Sequence, residues 1–122
     1  MVEVICDTNF LIHLATRRIK NIDSIEIEIG SITFVVPQVV KNELLNLEKI
    51  PEKKQDILDT LNFIKNLKIV PIQGKFADKE LIAFIRKNGG IVGTMDKELK
   101  KEIKKNQGSI ISFSNDSIVL ES

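Results

Sequence analysis

The 122-residue sequence has one cysteine, one histidine and no tryptophan or tyrosine. The single cysteine, Cys6, excludes a disulfide framework, which favours a protein of the reducing cytoplasm. Because Cys6 lies within an apolar run, we expect a structural and inert thiol. With only His13 available, a metal site made of histidine and thiolate ligands is excluded as well. We expect His13 to be a solvated or capping side chain.

Long apolar runs and an excess of one charge are also missing. No segment approaches the roughly 18 apolar residues of a membrane helix, and a strand-like run follows Met1 where a signal sequence would lie. Lysine and arginine total 18 and aspartate and glutamate total 17, so the net charge is +1 and no global basic field attracts nucleic acid. We expect a soluble protein that does not associate with membranes, with any nucleic-acid contact confined to a local surface.

The apolar content, 43% of the sequence, is sufficient for one core, and we expect a single domain over residues 1–122. Strand-like and helical patterns alternate along the chain. The strand-like segments are 2–6, 34–36, 68–72, 91–94 and 109–113, and the helical ones are 9–20, 38–50, 51–67, 79–87 and 97–105. Residues 21–33 remain unassigned, and residues 114–122 form either an edge strand or a frayed end. The alternation predicts a three-layer α/β/α sandwich with a mainly parallel sheet of about five strands, and a crevice at their carboxyl ends.

Four acidic residues from separate segments fall near that crevice. Asp7 and Asp96 each end a short apolar run, and Asp78 begins a helical pattern. Glu43 falls on the apolar arc of helix 38–50, where a lone buried carboxylate would be costly. Glu43 therefore predicts a partner, a water-filled cleft or a metal ion.

Helix capping is the structural alternative for the three aspartates, because an aspartate before a helix accepts a hydrogen bond from an otherwise unpaired N–H. Capping does not account for Glu43. A hard divalent cation such as Mg²⁺ gives all four acids a shared role, since it is held by a few carboxylates together with waters and substrate phosphate. It would also offset the repulsion among four negative charges and activate water for attack on a phosphodiester.

Four segments, taken in order, resemble the PIN-domain ribonucleases, a family that includes VapC-type toxins and small PIN proteins of ribosomal RNA processing. The segments are VICDTNFLI, FVVPQVVKNELLNL, ADKELIAFI and IVGTMDKELKKEI. The resemblance implies that Asp7, Glu43, Asp78 and Asp96 are the catalytic residues and hold Mg²⁺ or Mn²⁺. It further implies that Thr8, Asn9 and Thr94 support this site.

The resemblance also implies an RNA substrate, a homodimer and, for a toxin, an antitoxin protein as partner. One departure concerns the third acid, because many processing-type relatives carry a second aspartate directly after it. This sequence has Lys79 and then Glu80 at that point. Whether Glu80 joins the site stays open.

A lysine stripe on helix 97–105 is a local basic feature that begins one residue after Asp96. Lys97, Lys100, Lys101, Lys104 and Lys105 fall within about 140° of arc. The stripe could guide an RNA backbone through phosphate contacts, or it could be a solvated face that alternates with Glu98 and Glu102. We expect no base stacking, because the phenylalanines mostly fit the core.

Two functions from different classes follow. The first is a metal-dependent endoribonuclease that hydrolyses RNA phosphodiester bonds by metal-activated water. The alternative is a catalytically silent PIN-like module that binds RNA or serves as a scaffold, with the acids reduced to helix caps. A phosphatase or phosphoreceiver is disfavoured, because the first motif is Asp-Thr-Asn and the third strand ends in Pro-Ile-Gln.

Overall fold

The computed structural model describes residues 2–20 and 30–121. Its elements, in chain order, are β1 (Val2–Cys6), α1 (Thr8–Thr16), β2 (Ile32–Pro37), α2 (Gln38–Leu47), a 3₁₀ turn (Pro51–Lys53), α3 (Lys54–Ile64), β3 (Lys68–Val70), α4 (Ala77–Asn88), β4 (Ile91–Gly93), α5 (Lys97–Lys105), β5 (Ser109–Ser114) and β6 (Ser117–Glu121). No helix in these ranges combines the length and the apolar composition needed to cross a lipid bilayer.

The strands form one sheet in the order β3-β2-β1-β4-β5-β6. The first five strands are parallel to their neighbours, and β6 pairs antiparallel with β5 at one edge. The predicted three-layer sandwich with a mainly parallel sheet is therefore confirmed, and β6 settles the alternative left open for the carboxyl-terminal segment. The order reverses between β1 and β4, which is where an open parallel sheet of this kind forms a crevice at its carboxyl edge.

Central strands are buried on both sides. Val4 of β1, Val35 of β2 and Val92 of β4 have no exposed surface. Such burial explains why β4 and the carboxyl-terminal halves of β1 and β2 are continuous apolar runs in the sequence rather than alternating ones. Helices α1, α2 and α3 pack on one another, and α4 packs on α5. With right-handed crossovers, the first group covers one face of the sheet and the second group covers the other.

Several helices and strands are shorter in the structure than predicted. The first helix ends at Thr16 rather than at residue 20, since Arg17 already has an extended backbone. The third strand ends at Val70, because Pro71 has no N–H to continue the ladder. Pro51 starts a separate 3₁₀ turn before α3. Most of the unassigned segment 21–33 lies outside the described residues, and its last two residues open β2.

Candidate active site

Asp7 lies at the carboxyl end of β1, where the strand order reverses. Its N–H donates to the carbonyl of Gly93 on β4 at 3.0 Å, and its Oδ1 accepts from the N–H of Phe10 at 2.8 Å. The predicted N-cap is thus confirmed for α1. Its second oxygen, Oδ2, accepts a hydrogen bond from the hydroxyl group of Thr94. Both carboxylate oxygens are therefore fixed in place on a side chain that is buried.

Gly93 allows α1 to approach β4 this closely. A Cβ atom at position 93 would lie 2.9 Å from ring carbons of Phe10. That ring packs against Phe113 of β5 with centroids 4.7 Å apart. The first turn of α1 is therefore clamped against the sheet directly below Asp7.

Thr94 connects two of the predicted acids. Its side chain has no exposed surface, and its hydroxyl oxygen accepts from the N–H of Asp96 at 3.1 Å while it donates to Asp7. Through these two hydrogen bonds Thr94 could take the supporting role that the resemblance implied for it.

Asp96 is the N-cap of α5, as predicted. Its Oδ1 accepts from the N–H groups of Glu98 at 2.9 Å and Leu99 at 3.1 Å. The cap uses one of the two carboxylate oxygens, and the residue is exposed. Capping and a second role are therefore compatible for Asp96.

Asp78 and Glu43 differ from expectation. The prediction that Asp78 caps its helix was wrong, because α4 begins at Ala77 and Phe76 occupies the N-cap position without a capping side chain. Glu43 is exposed rather than buried, and of the three surroundings predicted for it the structure shows the cleft. At this turn the apolar arc of α2 meets an open cleft instead of the core, and this leaves the carboxylate in contact with water.

All four predicted acids border that one cleft, which we call the acid cleft. Its volume is about 190 Å³, and its lining comprises Asp7, Thr8, Asn9, Glu43, Ala77, Asp78 and Asp96. The four carboxylates come from the β1–α1 junction, α2, α4 and the β4–α5 junction. Two of the three predicted supporting residues, Thr8 and Asn9, also line the cleft, and Thr94 lies beside it through its bond to Asp7.

Burial and mutual repulsion act on these carboxyl groups. Burial raises the pKa of Asp7 from its ordinary 3.8 to about 6; hydrogen bonds from Thr94 and Phe10 oppose the rise, and the charges of Asp78 and Asp96 add to it. The pKa of Asp78 is also raised, by partial burial and by the charges of Asp96 and Glu43. Within residues 2–20 and 30–121 no lysine or arginine forms an ion pair with any of the four acids.

The donors of the acid cleft suit a hard cation. Neither a histidine nor a cysteine lines the cleft, and oxygen ligands are those that Mg²⁺ and Mn²⁺ prefer. The hydroxyl oxygen of Thr8 is buried at its wall with no hydrogen-bond partner among the described residues. In the part of the chain that the structure describes, no three acidic, histidine or cysteine side chains already form a closed metal-binding group. Because hydrogen bonds hold the Asp7 carboxylate in place, the side chains of the other three acids would have to turn toward it to bind an ion.

Glu80 does not join the acid cleft. It lines a different depression with Ile72 and Phe84, and it packs so closely on Gly74 that a Cβ atom there would lie 2.3 Å from its carboxyl group. This answers the question that the sequence left open about the residue after Lys79.

The predicted lysine stripe is partly neutralised. Lys100 and Lys104 bind Glu121 of β6 at 2.8 Å and 3.3 Å, and Lys105 lies 3.7 Å from Glu102. Lys97 and Lys101 are exposed and form no ion pair with a described residue. None of the five lines the acid cleft. These contacts favour the interpretation of α5 as a solvated face.

The contacts of His13 and the burial of Cys6 are typical of residues that stabilise the fold. His13 is neither fully solvated nor a cap, because Nε2 lies 3.0 Å from Oδ1 of Asp116 and the ring stacks on Phe113 at 4.2 Å. Cys6 is fully buried, and burial raises the pKa of its thiol well above the ordinary value. The expected structural position of this cysteine is confirmed, and its inertness stays a prediction.

A larger groove adjoins the acid cleft and was not predicted. It has a volume of about 460 Å³ and shares Asn9 and Asp96 with the cleft. Arg17 and Asp56 border its far side. Arg17 was not predicted as a site residue, because the short basic run of Arg17, Arg18 and Lys20 has no spacing that distinguishes a binding site from a solvated surface.

Comparison with known proteins identifies relatives. Residues 4–115 match the family model of the PIN-like domain. The chain is similar to ribonuclease VapC4 of Methanocaldococcus jannaschii, with 31% identity over 112 residues that cover 87% of this chain and 86% of that protein.

Solved structures with the same architecture include the PIN domain endonuclease Utp24. Its TM-score is 0.79 at 25% identity, over 98% of this chain and 90% of that one. A domain of a functionally unknown protein from Methanocaldococcus jannaschii matches with a TM-score of 0.59 at 18% identity, over 93% of this chain and 92% of that one. The second match concerns the fold alone.

Proposed function

The chain belongs to the PIN-like domain family, and from that premise we propose that it is a metal-dependent endoribonuclease. Residues 1–122 would act as one nuclease domain that hydrolyses RNA phosphodiester bonds with Mg²⁺ or Mn²⁺. The observation that carries the proposal is the shared lining of the acid cleft by Asp7, Glu43, Asp78 and Asp96. The names of two relatives, a ribonuclease and an endonuclease, support the reaction class.

Asp7, Glu43, Asp78 and Asp96 would hold the metal ion. When bound, a divalent cation supplies the activation of water and the charge neutralisation that phosphodiester hydrolysis requires. Without a cation, four carboxylates on one small cleft would repel the phosphodiester of the substrate. Cation binding and RNA binding are therefore expected to be coupled.

The remaining residues of the cleft orient the acids and the substrate. Thr94 fixes the plane of the Asp7 carboxylate and favours its charged form, because a hydrogen bond to a carboxylate stabilises the anion. The hydroxyl group of Thr8 and the amide group of Asn9 line the same cleft and would serve as hydrogen-bonding groups toward a phosphate oxygen or a water.

The second candidate is the catalytically silent RNA-binding or scaffold module. One observation favours it, which is that Asp7 and Asp96 do cap helices. Asp78 and Glu43 separate the two candidates, because neither carboxylate has a capping hydrogen bond. If the protein were a silent module, neither of these two carboxylates would have a role.

Asp78→Asn is consequently the sharpest test of catalysis. A labelled single-stranded RNA would be incubated with wild type and variant in Mn²⁺, in Mg²⁺ and in EDTA. We expect cleavage that needs the metal and falls roughly a hundredfold in the variant. Asp59→Asn is the matched control, since Asp59 is an exposed aspartate of α3 outside the cleft. Equal cleavage by wild type and Asp78→Asn would contradict the proposal.

We also propose a homodimer. Leu45 of α2, Ile50 of the connecting turn and Leu58 of α3 are 44%, 37% and 39% exposed. They lie on or between two helices that pack together, so a two-fold axis could bury them against their copies.

An antitoxin protein as partner is a further proposal, and it is tested by whether a small reading frame beside the gene encodes a protein that binds this chain.

A further inference from the structure

Phe76 is the most exposed large apolar side chain of the described residues, at 56%. It directly precedes Ala77 and Asp78, which both line the acid cleft. Its backbone carbonyl accepts from the N–H of Glu80 at 3.2 Å, so the backbone of Phe76 is held at the N-cap position of α4. An aromatic ring is thereby held in solvent beside the candidate site.

Folding does not account for a phenylalanine at this position. A ring that stays more than half exposed gains little from burial. The N-cap position favours serine, threonine, aspartate or asparagine, and a capping side chain typically stabilises a protein by about 1 kcal/mol. Helices α1 and α5, which also border the acid cleft, both begin with capping aspartates. Helix α4 has none.

Two cationic groups accompany the ring. Nζ of Lys79 lies 5.2 Å from the ring centroid of Phe76, and Nζ of Lys75 lies 5.9 Å from it. Neither lysine is in an ion pair with a described residue. Both ammonium groups lie over the ring at cation–π distance, so a base that stacks on that face takes their place and leaves them free to contact its phosphates. An exposed ring together with cations is the combination by which proteins bind single-stranded nucleic acid.

We propose that Phe76, Lys75 and Lys79 bind an unpaired nucleotide of the substrate, with its base stacked on the ring and its phosphates near the two lysines. A paired base has no free face for such stacking. The substrate would therefore be single-stranded where it leaves the acid cleft at the start of α4. This inference rests on the proposed function and adds a strand requirement to it. It also revises the expectation of no base stacking.

Phe76→Trp tests stacking directly, because the protein has no tryptophan of its own. The variant would be titrated with a short single-stranded RNA and with the same strand in a duplex, in Ca²⁺ in place of Mn²⁺, with the RNA checked for integrity afterwards. We expect saturable quenching of the tryptophan fluorescence by the single strand and at least tenfold weaker binding of the duplex. Ser114→Trp is the control, because position 114 is exposed but does not line the acid cleft, and it should show no quenching.

Affinity gives the second measurement. Phe76→Ala should weaken binding of single-stranded RNA about tenfold, as expected for the loss of one base–aromatic stack. Phe76→Tyr should retain the affinity, and Ser114→Ala should leave it unchanged. Equal affinity of wild type and Phe76→Ala, equal quenching by the duplex, or no RNA binding at all would overturn the inference.

The outcomes also separate this inference from the proposed function. Stacking without any metal-dependent cleavage would support the inference and contradict the nuclease. If Asp78→Asn abolishes cleavage while Phe76→Ala binds single-stranded RNA as tightly as the wild type, the nuclease is supported and the stacking site is overturned.

Discussion

The hydroxyl group of Thr94 donates a hydrogen bond to Oδ2 of Asp7, although the two residues are 87 positions apart in the sequence. The contact exists because β1 and β4 are parallel neighbours, with Cys6 opposite Gly93, so the residues that follow the two strands meet at the same edge of the sheet. Thr94 also accepts from the N–H of Asp96. One threonine therefore connects the carboxylate that ends β1 with the loop that begins α5.

Thr94→Val should impair cleavage and shift its pH dependence. The substitution keeps the buried shape but removes the hydrogen bond that favours the ionised form of Asp7, so the pKa of Asp7 should rise further. We expect a rate loss of about tenfold or more and an acidic limb of the pH–rate profile that moves to higher pH. Thr94→Ser keeps the hydroxyl group and is the control. An unchanged pH profile in Thr94→Val would mean that Thr94 has only a packing role.

Asp7 should make the metal-free protein less stable as pH rises. Its pKa is about 6 in the folded protein, against 3.8 ordinarily. Between these values the folded state binds more protons than the unfolded state, so the free energy of unfolding falls as pH rises from about 4 to about 6. The difference corresponds to about 3 kcal/mol, and the raised pKa of Asp78 acts in the same direction.

Urea unfolding in EDTA across that pH range would measure this effect. Asp7→Asn removes the titrating group and keeps a residue that caps well. We therefore expect a flatter pH dependence for Asp7→Asn, with the gap between the two proteins changing mainly from about pH 4 to 6. Parallel curves for wild type and variant would show that Asp7 does not titrate in this way.

Asp96→Asn should separate capping from metal binding. Asparagine caps a helix about as well as aspartate, so stability in EDTA should change by less than about 0.5 kcal/mol. The rise in melting temperature that Mn²⁺ gives the wild type should largely disappear, because binding to the folded state alone is what raises it. Glu98→Gln, an exposed acid in the first turn of the same helix and outside the acid cleft, is the control. The same metal response in wild type and Asp96→Asn would identify Asp96 as a cap only.

Leu45→Glu should convert the proposed homodimer to monomer. A charge placed at the centre of an apolar two-fold interface meets its own copy and loses its solvation. Light scattering at tens of micromolar should give a dimeric mass for the wild type and a monomeric mass for the variant. A monomeric wild type at that concentration would argue against the dimer.

The sequence was sufficient to predict the fold and to predict which acids lie together, because both follow from the order of strands and helices along the chain. Asp7 and Asp96 follow strands that the apolar runs reveal, and parallel strands bring their carboxyl ends to one edge. The short strand β6 was less certain, since its pairing with β5 depends on a partner that local sequence does not specify.

Side-chain environment was harder to predict. Helical periodicity gave the direction of Glu43 correctly but could not decide among a partner, a water-filled cleft and a metal ion, because these depend on elements that are distant in sequence. Phe76 was grouped with core phenylalanines, because composition alone does not distinguish a ring before a helix from one inside it. The predicted start of α4, residue 79, is two residues later than the observed start at Ala77, and this offset places Asp78 at the N-cap.

Anomalous diffraction from crystals soaked in Mn²⁺ tests the central claim most directly. The account predicts an Mn²⁺ peak in the cleft between Asp7, Glu43, Asp78 and Asp96, with carboxylate oxygens as its protein ligands, and the loss of that peak in crystals of Asp7→Asn. A wild-type crystal with no Mn²⁺ in that cleft, or a peak undiminished in Asp7→Asn, would contradict the account.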